Sequence, residues 1–219
     1  MATISKKTQP NALTANNFLN FCGFFYSAMI ITKSELFNKL EKYARLVFKG
    51  AIFVHPTDTI NGLGCDATHD EAVKKLRKIK NSHSSPFSVI LPSKDWIREN
   101  CELNEEAKRW LKKLPGPYTL VLKLRNRSAV SRYVNPNDNT IGVRIPDHWI
   151  SEFVSYLDVP IVTTSPNPNG EDYTDDIEEL HPLISNNVNF IVYDSSVGSK
   201  PSDIVILTGK KPKIIKRSR

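Results

Sequence analysis

Four short stretches of this chain gather side chains suited to binding anions: Thr57 to Thr59, Lys80 to Ser85, Thr140 to Arg144 and Thr163 to Asn167. They supply hydroxyls, amides, one lysine and one arginine. A lysine meets phosphate as a point charge, and an arginine offers a planar fork that matches carboxylate or phosphate. No nucleophile–base pair stands out, because Ser165 has no partner fixed by spacing and the five histidines are scattered. Alignment and charge neutralisation of an anionic substrate is the chemistry these groups suit.

Each stretch lies where a regular element is expected to end. Ala51 to Val54 is a short apolar run that reads as a buried strand entering the Pro56-Thr57-Asp58-Thr59 turn. Thr32 and Glu35 have capping-box spacing, and Leu36, Leu40, Tyr43 and Val47 then recur at helical intervals, predicting a helix over 33–48. Thr68 and Glu71 repeat that spacing ahead of a helix ending near Lys80. On it Lys74, Lys75, Arg77 and Lys78 read as a solvated face. A strand is expected over 86–91, a helix from Asn104 up to Pro115-Gly116-Pro117, and a strand over 118–124. Residues 125–139 read as loop, 140–145 as strand, 149–157 as helix and 160–164 as strand. A short helix near 175–181 and strands near 188–193, 203–208 and 213–216 complete the pattern. Strands alternating with helices predict one α/β domain, in which strand ends can converge on a single crevice.

At 219 residues and 40% hydrophobic, the chain can bury a substantial core. Lys+Arg outnumber Asp+Glu by 30 to 23, a net charge of +7 that favours anionic partners such as nucleotides or RNA. Cys22, Cys65 and Cys101 are widely spaced and form no C-x-x-C pair. A disulfide framework and a zinc site are therefore not indicated, and an intracellular, cytoplasmic location is expected. Phe18 to Ile31 is too short and too interrupted to span a membrane. With Lys6 and Lys7 ahead of it, a secretory signal is one reading. The favoured one makes residues 1–28 an extension, disordered or added by an upstream start, before a domain over 29–219. Gly62-Leu63-Gly64 lacks the third glycine of a dinucleotide fingerprint, and no Walker A sequence is present.

Taken in order, the motifs resemble the YrdC-like family, which includes the threonylcarbamoyl-AMP synthases. The family's P-T-D/E-T-x-Y-G-L-G is matched by Pro56 to Gly64, and its K-x-R by Lys80-Asn81-Ser82 before the Pro86-led strand. P-G-P-x-T is matched by Pro115 to Thr119, and T-x-x-x-R-x-P by Thr140, Arg144 and Pro146. S-A-N-x-S-G is matched by Ser165 to Gly170, while P-S-T and a late basic pair are echoed by Pro201-Ser202-Asp203 and Lys216-Arg217. The resemblance implies a twisted, open, mixed sheet flanked by helices, with a basic cavity on one face. It also implies condensation of L-threonine, bicarbonate and ATP, accompanied by Mg2+, into threonylcarbamoyl-AMP and pyrophosphate. A downstream transferase, with tRNA as a further partner, would use the product to modify the adenosine next to the anticodon.

By position, the resemblance puts Thr59, Thr119, Arg144 and Ser202 on threonine, with Arg144 holding the carboxylate. Lys80 faces the triphosphate or bicarbonate as the catalytic cation. Lys80, Ser82, Ser85, Thr140, Thr163, Ser165, Asn167 and Lys216 fall on the nucleotide. No protein ligand to a metal is implied. The chain departs from the family pattern at Asn61, Ser82, Pro166 and Asp203. Ser82 replaces an arginine, and Arg77 or His83 is the nearest substitute cation. Two further readings stand beside the synthase: a non-catalytic module binding RNA or nucleotide, and a relative acting on another carbamoyl or acyl substrate.

Overall fold

The computed structural model describes residues 28–172, 174, 176–195 and 200–217. The proposed extension thus lies almost wholly outside the described residues. Met29–Thr32 forms strand β1, an element that the helical periodicity after it had hidden. Thr32 then closes the expected capping box: its hydroxyl accepts from Glu35 N at 3.2 Å, and the Glu35 carboxylate accepts from Thr32 N at 2.9 Å. The helix that follows is broken at Lys39 into α1 (Lys33–Asn38) and α2 (Leu40–Phe48).

Strands β2 (Phe53–His55) and β3 (Gly62–Gly64) form a hairpin around the Pro56–Asn61 turn. Helix α3 (Asp70–Ile79) is capped by His69, whose Nδ1 accepts from Ala72 N, and not by Thr68. Asp66 is the reason, because its carboxylate takes both the Thr68 amide at 2.8 Å and the hydroxyl at 2.7 Å. After β4 (Ser88–Ile90) comes α4 (Lys94–Asn100), a short helix capped by Ser93 that the sequence reading passed over. Asn104 caps α5 (Glu105–Leu111) as expected. Then follow β5 (Tyr118–Lys123), β6 (Thr140–Arg144), α6 (Ile150–Leu157) and β7 (Ile161–Thr163). The helix expected near 175–181 is a single 3₁₀ turn, Ile177–Glu179, before α7 (Pro182–Ser185). Strands β8 (Phe190–Tyr193), β9 (Asp203–Ile206) and β10 (Lys213–Ile215) complete the fold.

The strands form two open, mixed sheets, ordered β1-β8-β2-β3 and β10-β9-β5-β6-β4-β7. The two are stitched together at a seam between β3 and β7. Leu63 N donates to Thr164 O at 2.6 Å, Thr164 N to Leu63 O at 3.1 Å, and Val162 N to Cys65 O at 2.8 Å. At this seam a Cβ on Gly64 would lie 2.3 Å from the Val162 carbonyl oxygen, so the close approach requires glycine.

Both faces of the inner strands such as β2, β4 and β7 are covered, which explains why they read as apolar runs and not as alternation. Ile52, Val54, Val89, Val143 and Val162 join one core with residues of α3, α4 and α5. Phe53, Ile90 and Ile161 point the other way into a second core with α2 and α6, where Phe53 stacks on Phe190 at 4.9 Å. On that second face the apolar cover gives out beyond Ile90 and Ile161. The next same-face positions are Ser88 and Thr163, which stand opposite one another in the register, with Gly142 on β6 beside Ser88.

Candidate active site

At that point the sheet face opens into a cavity of about 190 Å³. Its polar lining includes Thr119, Arg144, Thr163, Ser165, Ser202 and Arg217, with no carboxylate among the described residues. Strand period places Gly142 and Arg144 on the same face of β6. Gly142 keeps the floor open, since a Cβ there would sit 2.8 Å from Ser88 Oγ and 3.2 Å from Thr119 Cγ2.

Arg144 is 5% exposed, and burial pulls its pKa down against the neighbouring Asp58, which raises it. Its Nη2 donates to Asp58 Oδ1 at 2.5 Å and to Thr59 Oγ1 at 2.9 Å. Asp58 is itself held by Asp147 N, which donates to Oδ2 at 3.0 Å. The Thr57 hydroxyl donates to Ile60 O at 2.7 Å and lies 2.9 Å from the Thr59 hydroxyl, so the whole P-T-D-T turn is spent on aiming Arg144. Arg144 Nε is buried and meets no acceptor among the described residues. A buried, charged N–H of this kind is costly to leave unmatched, and an anion in the cavity is the natural acceptor.

Across the cavity, the hydroxyls of Thr119 and Ser202 lie 2.7 Å apart. Arg217 donates from Nε to Ser202 O at 2.8 Å and from Nη2 to Ser202 Oγ at 3.0 Å. Sequence reading chose Lys216 for this end of the chain. Lys216 is exposed and is not among the lining residues, whereas Arg217 is. Choosing between adjacent residues at a strand end decides which side of the sheet a side chain meets. Ser88 and Asn61 also line the cavity. A polar residue inside the strand-like run 86–91 was the available signal for Ser88.

Other expected site residues lie elsewhere. Lys80 is buried behind the wall: its Nζ donates to the carbonyl oxygens of Ser165, at 2.7 Å, and of Asn167. The ammonium thus staples the Ser165–Asn167 loop instead of lining the cavity. Asn167, also absent from the lining, holds Pro168 O at 2.9 Å and Glu171 O at 2.5 Å. Thr140 sits at the far end of β6 from Arg144, about 13 Å away by strand rise. Its hydroxyl donates to Asp138 at 2.6 Å beside a separate cavity of about 290 Å³ formed by loop residues 124–141. Ser82 is buried, its hydroxyl without a partner among the described residues, and Ser85 is exposed.

Arg77 is not part of a solvated face. It is 8% exposed, and all five of its N–H bonds end on backbone carbonyls. Nε donates to Tyr133 O at 2.6 Å, Nη1 to Ser82 O and Ser85 O, and Nη2 to Ser85 O and Val134 O. Five N–H groups meet four carbonyl oxygens, Ser85 O taking two of them, so Arg77 shapes the 82–85 loop and has no N–H left for a phosphate. His83 is exposed on that loop.

Two buried titrating groups give testable pH effects. Burial pushes His55 down from 6.5 to about 4. Between those values the unfolded chain binds a proton that the folded chain refuses, so stability falls as pH drops through this window and levels off below it. The gap corresponds to a loss of about 3 kcal/mol by pH 4. Thermal melts of His55→Met should fall less between pH 7 and pH 4.5 than those of the parent. Burial likewise brings Lys80 from 10.5 to about 8. Here the unfolded chain holds the extra proton between about 8 and 10.5, so this group makes stability rise with pH across that range. The parent should gain on the order of 2–3 kcal/mol over Lys80→Met as pH climbs through the window, measured by urea unfolding.

The Sua5_yciO_yrdC family model, described as "Telomere recombination", matches residues 45–218. The chain belongs to the Sua5/YciO/YrdC family. It is 29% identical over 187 residues to a Methanocaldococcus jannaschii protein with the provisional name threonylcarbamoyl-AMP synthase, covering 83% of this chain and 86% of that one. Escherichia coli YciO superposes with a TM-score of 0.73 at 25% identity, covering 86% of this chain and 94% of that one. P. abyssi Sua5 complexed with L-threonine gives a TM-score of 0.74 at 25% identity and 85% coverage of this chain. This chain spans 56% of that longer Sua5 chain. Open mixed sheets flanked by helices are thus the family's architecture, as the motif order implied. No helix among the described residues is long and apolar enough to cross a membrane.

Proposed function

We propose that this chain is an L-threonylcarbamoyladenylate synthase, forming threonylcarbamoyl-AMP from L-threonine, bicarbonate and ATP. The observation that carries the reading is Arg144: a buried guanidinium on the cavity wall, aimed by Asp58 and Thr59, with an unmatched Nε. That group suits an α-carboxylate. A P. abyssi relative of the same fold is known in complex with L-threonine. Thr119, Ser202 and Arg217 form a second polar wall, suited to a hydroxyl and to an anion.

In this reading Arg144 holds the carboxylate of threonine while its amine adds to carbon dioxide drawn from bicarbonate, losing a proton. An oxygen of the resulting carbamate attacks the α-phosphorus of ATP, and pyrophosphate leaves with the bonding pair. No covalent enzyme intermediate is needed, so positioning and charge neutralisation carry the rate. Mg2+ accompanies ATP on its phosphates, as part of the substrate. Lys80 contributes by fixing the Ser165–Asn167 loop, and a transferase that modifies tRNA consumes the product.

Pyrophosphate release tests the reading. It should require threonine and bicarbonate together with Mg-ATP, and the product should be labelled by both [14C]bicarbonate and threonine. Release that ignores threonine would refute it. One observation favours the alternative, a non-catalytic module: Arg77, one of the two cations nearest the family arginine's position at Ser82, is fully engaged on backbone carbonyls. Tight, salt-sensitive binding of RNA or nucleotide without turnover would select that alternative.

A further inference from the structure

Strand β10 ends the larger sheet and pairs only with β9 among the described residues. All three of its residues are exposed, with Ile214 at 50% and Ile215 at 39%. Because neighbouring strand residues face opposite sides, each side of this edge presents an isoleucine to solvent. From Thr208 to Arg217 the chain carries Lys210, Lys211, Lys213, Lys216 and Arg217 and no carboxylate. None of those four lysines enters an ion pair with a described residue.

Lysines on an edge strand ordinarily guard it against unwanted pairing. Guarding accounts for the charge but not for two exposed isoleucines on a free edge. A second copy of the chain is a poor occupant, because pairing β10 with itself sets lysine-rich strands side by side, and like charges across strands repel. A strand carrying carboxylates beside its apolar residues meets both features. The location adds a consequence: two residues past Ile215, Arg217 grips Ser202 at the cavity wall. An added strand would lie next to the cavity mouth.

We infer that the free edge of β10 receives an extended, acidic segment of another protein as an added strand. Main-chain pairing would supply affinity and the lysines selectivity, as in other cases of strand addition. The inference borrows from the proposed synthase only the expectation that a protein collects the product. Its test needs no turnover, so the two can fail separately.

The probe is a fluorescent octapeptide of alternating valine and glutamate, titrated with the full chain and followed by anisotropy. Saturable binding is expected. A central proline in the peptide should weaken it at least tenfold by removing a backbone donor, and lysine in place of glutamate should abolish it. On the protein side, the double variant Lys211→Glu, Lys213→Glu should lose at least tenfold while keeping the parent's circular dichroism. Equal binding of the proline peptide would overturn the inference by reducing it to loose ionic attraction. So would displacement of the peptide by oligouridylate at comparable concentration, or by the chain's own dimerisation. The peptide variants are measured on the unaltered chain, so the outcome stands even if the double variant misfolds.

Discussion

Arg144→Gln should lower threonine-dependent pyrophosphate release by at least about a hundredfold in kcat/KM, the loss expected when a charge-assisted, oriented anchor worth about 3 kcal/mol is removed. The same change should also destabilise the fold, because Asp58 would keep a carboxylate only 11% exposed with its cation gone. Breaking one side of a buried pair costs about 3–5 kcal/mol, most of it the stranded charge. These two effects separate in a double variant. Arg144→Gln with Asp58→Asn replaces the ion pair by neutral amides, leaving no stranded charge, and should recover most of the lost stability. It should recover none of the activity. Urea unfolding and steady-state kinetics on the two variants and the parent read the two quantities independently. Full activity in Arg144→Gln would remove the carboxylate anchor from the reading altogether.

Gly64→Ala should be the most damaging single methyl addition among the described glycines. The new Cβ would stand 2.3 Å from the Val162 carbonyl, a backbone atom that can yield only by opening the seam between the two sheets. A cost of at least about 3 kcal/mol is expected, near the upper end for overpacking. For a chain of this size that lowers Tm by about 10 °C. Gly142→Ala is the instructive contrast. Its Cβ meets the Ser88 hydroxyl at 2.8 Å, a side chain that can rotate, so stability should change little. The methyl would occupy the cavity floor, however, and should raise the KM for threonine. Scanning calorimetry and substrate titration distinguish the two glycines. A cooperative melt for Gly64→Ala at the parent temperature would show the seam to be less tightly packed than its geometry requires.

Much of the scaffold was legible in the residues because local rules and the global fold agree there. Thr32 with Glu35, and Asn104 with Ala107, satisfy helix ends through bonds that span three residues, so spacing alone reveals them. Where a nearby competitor intervenes, the same rule misleads: Asp66 takes Thr68 and leaves His69 to cap α3. Short elements with mixed faces, such as β1 and α4, carry too few periods to announce themselves.

The ordered motifs determined the family and pointed to Thr59, Thr119, Arg144, Thr163, Ser165 and Ser202, all of which line the cavity or touch Arg144. Only the tertiary structure decided what each charged side chain spends its bonds on. Lys80 and Arg77 look like free cations in the sequence, yet both terminate on backbone carbonyls, Lys80 on Ser165 and Asn167 and Arg77 partly on Tyr133 and Val134. Arg217, and not its neighbour Lys216, reaches the cavity. The physical reason is common to all three. Residue type fixes which bonds a side chain is able to make, but its acceptors lie up to 87 positions away and are brought near only by strand register and sheet closure.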